Sequence, residues 1–151
     1  MTALSDTAAR LDALEAFFAT GRTRDLEFRR AALLRLQRAI RRHEADIAEA
    51  LRTDLHKSAD EGWLCETGMV LAEIRDQLRH LDRRARPQRT GAPLFLFPSS
   101  GRILHEPKGV VLILAPWNYP LQLTLSPLAG GETEDLRNHA EAFCQSGHPG
   151  S

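Results

Sequence analysis

The stretch "GVVLILAPWNYP", residues 109–120, ends an apolar run on Pro116-Trp117-Asn118-Tyr119-Pro120. A primary amide set between two prolines could do chemistry. Proline locks its own φ at about −65° and restricts the residue before it, so Asn118 sits in a loop with little freedom. A side-chain amide held still is a rigid N–H donor, which is what a developing oxyanion requires. Removing such a donor costs roughly 10²–10³ in rate. Trp117 offers a flat wall to a ring or an aliphatic chain. The same spacing also suits a turn in which Asn118 caps the next helix and Trp117 fills a core. The five residues by themselves leave both readings open.

Something must hold that loop in place. Val110, Val111, Leu112, Ile113 and Leu114 are apolar without alternation, the pattern of a strand buried on both faces of a parallel sheet. Ligands of such sheets sit beyond the carboxyl ends of the strands, where residues 116–118 would lie. Residues 121–128 read as the first turns of the helix that follows. Upstream, β-prone runs near 94–97 and 102–105 are separated by the turn signals Pro98-Ser99-Ser100-Gly101 and Pro107-Lys108-Gly109. A parallel strand needs neighbours reached through crossovers, and no later stretch reads as one.

The first 86 residues are helical in period. Leu4, Ala8, Leu11, Leu14 and Phe18 recur at helical spacing, with Gly21 as a C-terminal cap. From Asp25, the positions Leu33, Leu36, Ile40, Ile47 and Leu51 predict one long amphipathic helix ending near Asp54. Ser58-Ala59-Asp60-Glu61 has the form of a capping box. It opens a third long helix through Leu64, Val70, Leu71, Ile74, Leu78 and Leu81, which Pro87 ends.

Lys+Arg and Asp+Glu balance at 20 each, so no overall field draws the chain to nucleic acid or an acidic membrane. The arginines of residues 22–42 are interleaved with acids, which makes a solvated, ion-paired face. The basic run "HLDRRARPQRT" suits a helix C-terminus. The longest apolar run is too short to span a bilayer, and no leader pattern opens the chain, so a cytoplasmic location is expected. Cys65 and Cys144 match no disulfide framework or zinc spacing. His43, His56, His139 and His148 fit no metal motif, and no metal is expected. No Gly-rich phosphate loop is present. After Gly130 the chain is polar and turn-rich, with a net charge of −3.

The segment "GVVLILAPWNYPLQLTLSPLAG" resembles the strand-loop-helix of the aldehyde dehydrogenase family, in its fatty-aldehyde branch, where P-W-N-[YF]-P is a specific signature. "GRTRDLEFRRAALLRLQRAI", "DLHKSADEGWLCETGMVLAEI" and "LFLFPSSGRILHEPKGVV" resemble the same branch. The resemblance implies that the Asn118 amide helps form the oxyanion hole for a thiohemiacetal. It implies further that Ala115, Pro116 and Trp117 line the nicotinamide side of the site, with NAD or NADP as cofactor and an aldehyde as substrate. In that family a cysteine thiolate attacks the carbonyl, hydride passes to the cofactor, and a glutamate-activated water hydrolyses the thioester.

The family's ribose-binding Lys-Pro-Ser, its glycine motif, its general-base glutamate and its nucleophilic cysteine have no counterpart in these 151 residues. The expected fold is therefore α/β and incomplete: three N-terminal helices, short strands, then the first strand-helix of a Rossmann-like cofactor domain. Residues 1–130 are expected to be the N-terminal portion of an aldehyde dehydrogenase domain, and 131–151 an unrelated, disordered polar tail. The expected function is that of an aldehyde-oxidising oxidoreductase whose chain lacks activity by itself. The alternative is a non-catalytic module that associates with itself or with an intact homologue through its unpaired apolar surface.

Overall fold

A computed structural model describes residues 2–91, 95 and 100–131, the side chains of 2–6 and 131 excepted. These residues are mostly helical. In order they form α1 (Thr2–Ala19), a 3₁₀ turn (Arg22–Arg24), α2 (Leu26–Arg42), α3 (Glu44–Leu55), α4 (Ala59–Gly62), a π turn (Trp63–Thr67) and α5 (Gly68–Ala85). Then come β1 (Gln88–Thr90), β2 (Gly101–Ile103) and α6 (Pro120–Gly131).

The predicted ends of the helices are built as the sequence reads. Gly21 takes the left-handed conformation after α1, with φ at 73°. The Asp25 side chain accepts from Glu27 N–H at the start of α2, and Ser58 Oγ accepts from Glu61 N–H at the start of α4. The stripe Leu33, Ile40 of α2 packs against Val70, Leu71 and Ile74 of α5, and Ala129 of α6 completes this core. Leu36, Ile47, Leu78 and Leu125 flank it. α6 therefore lies on α5, and that contact brings the loop before α6 to the helical layer.

Four expectations are corrected. The long helix over 25–54 is two helices, because His43 leaves helical geometry (φ −103°, ψ 17°) between α2 and α3. Its apolar period runs straight through, since the hydrogen bonds His43 N–H to Ala39 O and Ile47 N–H to His43 O keep the two in near-register. The third helix is interrupted by the π turn, and the strand near 102–105 is shorter and earlier, as β2. Finally, residues 110–114 form no strand: 104–116 are neither helix nor sheet, and Leu112 is 80% exposed. A strand buried on both faces exists only with ladder partners on its edges, and among the described residues none flanks this run. The run predicted near 94–97 lies outside the described residues except for Phe95, as does the tail beyond 131. β1 and β2 pair antiparallel with Arg89 opposite Arg102.

Candidate functional site

The geometry around Asn118 starts in the π turn. Gly68 N–H bonds the carbonyl of Trp63, five residues back, so one extra residue is accommodated within the helix. A Cβ on Gly68 would lie 2.7 Å from that same carbonyl oxygen. The widened turn leaves Glu66 and Thr67 side by side in the interior, in line with Val70 and Ile74 below them. Glu66 is fully buried, at 0% exposure.

A buried carboxylate must be compensated, and here each oxygen is. Glu66 Oε1 accepts from Lys57 Nζ at 2.6 Å. Glu66 Oε2 accepts from the backbone N–H groups of Leu121 and Gln122, at 2.9 and 3.0 Å. These are the opening amides of α6, where no intrahelical partner exists. Pro120 has no N–H to satisfy, and Leu123 N–H goes to Tyr119 O. The helix start is thus fully accounted for, with a negative charge at its positive end.

Lys57, 8% exposed, completes the network. His56 precedes it in a left-handed conformation, φ 54°, which turns the chain off α3. Besides Glu66, the ammonium donates to the carbonyl of Asn118 at 2.8 Å and lies 3.9 Å from the centre of the Tyr119 ring. Three donors meet three electron-rich neighbours.

Asn118 itself is exposed, on a turn with Trp117. Its Oδ1 accepts from Tyr119 N–H at 3.1 Å. Because a backbone N–H can only donate, the side-chain atom facing it must be the oxygen. The donor end, Nδ2, is therefore directed out of that bond. Trp117 is 86% exposed, Pro116 exposed and Ala115 half-buried, all immediately before Asn118 on the same loop.

Among the described residues it is Glu66, not Asn118, that accepts from the first amides of α6, and Trp117 packs into no core there. Lys57 and Glu66 were not singled out by spacing, although one signal was present: Glu66 is the acid that falls in phase with the apolar positions Val70, Ile74 and Leu81. Cys65 is half-buried on the π turn, as a small partly buried side chain, and no side-chain hydrogen bond reaches it among the described residues. Cys144 lies outside them. Among the described residues no group of three His, Cys, Asp or Glu is arranged to hold a metal ion, and no helix is long and apolar enough to cross a membrane.

The sequence profile of the aldehyde dehydrogenase family matches residues 4–130. The chain belongs to that family. Among its relatives, the 4,4'-diaponeurosporen-aldehyde dehydrogenase of Staphylococcus aureus is 43% identical over 116 residues, 77% of this chain and 25% of that protein. Human aldehyde dehydrogenase family 3 member B1 is 45% identical over 130 residues, 86% of this chain and 27% of that protein. A solved structure, described as the substrate-bound state of Staphylococcus aureus AldH, superposes with a TM-score of 0.76 at 42% identity, covering 79% of this chain and 26% of that one. The chain spans about a quarter of the length of these aldehyde dehydrogenases, so its architecture is a partial aldehyde dehydrogenase fold.

Proposed function

We propose that this chain carries the oxyanion-hole segment of an aldehyde dehydrogenase site, with Asn118 as the donor. The observation that supports it most is the exposed Asn118 amide whose oxygen is tied to Tyr119 N–H while Nδ2 is left to donate. A carbonyl attacked by a thiolate gathers negative charge on its oxygen. A preoriented N–H stabilises that charge without reorganising as it forms.

Trp117, Pro116 and Ala115 are the residues that would face the nicotinamide of NAD or NADP. The open indole face of Trp117 fits one side of such a ring. When bound, that group supplies the hydride acceptor. The α6 N-terminus is not available for its phosphates, since Glu66 already occupies the two amides there. The substrate class is an aldehyde and the product its carboxylate. A cytoplasmic location goes with this reading, as does inactivity of the 151 residues by themselves; among the described residues no side-chain hydrogen bond pairs the half-buried Cys65 with a base.

A second reading has one observation in its favour. Val110, Val111, Leu112 and Leu114 are exposed and outside any sheet. We infer that this run becomes the first strand of a Rossmann-like sheet when a neighbouring strand is supplied, by the same polypeptide or by a homologue.

To test the first reading, residues 1–130 replace the corresponding segment of a full-length family 3 aldehyde dehydrogenase. The exchanged enzyme should reduce NAD(P) with an aldehyde, and Asn118→Ala should lower its kcat by roughly 10²–10³. An unchanged kcat would sink the oxyanion role. The unfused 151 residues should yield no aldehyde-dependent NAD(P)H.

A further inference from the structure

The geometry points to Lys57 and Glu66 as positioning residues for Asn118: their buried ion pair fixes the loop that presents the amide. This rests on the reading of Asn118 as the oxyanion donor. Residues 104–116 join no sheet, Pro116 and Trp117 are exposed, and the prolines restrict φ without fixing where the loop sits against the body.

Two anchors lie on either side of the amide. On one, Lys57 Nζ bonds the Asn118 carbonyl at 2.8 Å, reaching across 61 positions of sequence. On the other, Glu66 Oε2 holds the amides of Leu121 and Gln122, three and four residues further on. The anchors are joined by the 2.6 Å contact between Lys57 Nζ and Glu66 Oε1. Glu66 in turn is placed by the π turn of a helix whose next residues, Val70 and Ile74, are wholly buried core. The rigidity of the helical layer thus passes to Asn118 through two side chains. A donor displaced by as little as an ångström loses much of its effect on a transition state, so the pair acts on the oxyanion hole through the position of Asn118.

The test uses the 151-residue chain, uniformly ¹⁵N-labelled, and involves no turnover. Amide exchange is followed at Leu121, Gln122, Val70 and Ile74, together with the Asn118 Nδ2H₂ resonances. In Lys57→Met, exchange at Leu121 and Gln122 should speed up by roughly tenfold or more beyond any change at Val70 and Ile74, and the Asn118 resonances should move. In the near-isosteric Glu66→Gln, the side-chain oxygen still accepts from Leu121 and Gln122 and its NH₂ now faces Lys57. The Asn118 resonances should therefore move with less loss of protection at α6. Asn118 resonances unchanged in both variants would overturn the proposal. So would an equal loss of protection at Val70, Ile74, Leu121 and Gln122, which is the mark of a pair that only holds the fold. A wild-type kcat for Asn118→Ala in the exchanged enzyme is a separate failure: it removes the oxyanion role and leaves these exchange rates as they are.

Discussion

Lys57 Nζ and Glu66 Oε1 stand 2.6 Å apart in the interior, at 8% and 0% residue exposure, and their other contacts go to Asn118, Tyr119 and the first amides of α6. Buried ion pairs often fail to repay their desolvation, and they do so only with good geometry and further hydrogen bonds. Both conditions are met here, so the energetic signature is the cost of breaking the pair from one side.

Lys57→Met leaves Glu66 charged and buried with only two backbone donors. It should destabilise the chain by about 3–5 kcal/mol. Adding Glu66→Gln neutralises that stranded charge, so the double variant should be more stable than Lys57→Met alone. Urea unfolding of the two variants decides this. A double variant less stable than Lys57→Met would mean the pair is not the unit described.

The π turn makes its own prediction. A methyl group on Gly68 meets the Trp63 carbonyl at 2.7 Å, and backbone cannot swing away as a side-chain tip can. Gly68→Ala should therefore cost about 1–3 kcal/mol, despite alanine's better intrinsic helix propensity. It should also disturb the Leu121 and Gln122 amides, because Glu66 is set by that turn. A stabilised Gly68→Ala variant would show that the turn relaxes to ordinary α-helix without consequence.

On α5, the Arg84 hydrogen bond to Asp76 lowers that carboxyl's pKa, opposed by desolvation and helped by the charges of His80 and Arg84. The unfolded chain then binds the proton more tightly than the folded one. The contribution is complete above the ordinary carboxylate value and is lost as pH falls through the lowered folded value. Acid titration of stability should be shallower for Asp76→Asn than for the parent over that interval, with no difference in slope near neutral pH. Because the pair is part-exposed, salt should shrink the effect. Identical acid limbs would refute it.

The helical layer was legible because its information is local. Leu33, Leu36 and Ile40, or Val70, Ile74 and Leu81, fix a buried face by spacing alone, and the Ser58-x-x-Glu61 cap declares its own helix start. The His43 break and the π turn were not, since the apolar stripe continues through both. Residues 110–114 misled for the opposite reason: a strand is a property of a pair, and the run describes only one member. The Trp117-Asn118 loop was legible as a motif. Its anchors were not, because Lys57 and Glu66 lie 61 and 55 positions from the groups they hold. Only an acid in phase with apolar neighbours hinted at them.

Asn118→Asp separates the donor role of the Asn118 side chain from its acceptor role. The substitution keeps the oxygen that accepts from Tyr119 N–H and replaces the donating Nδ2 by a second, negatively charged oxygen. In the family 3 enzyme carrying residues 1–130 of this chain, kcat should fall by at least roughly 10²–10³, while Leu121 and Gln122 in the 151-residue chain keep their amide protection. A kcat close to that of the parent, with the same protection, would mean that Asn118 Nδ2 does not donate to the oxyanion.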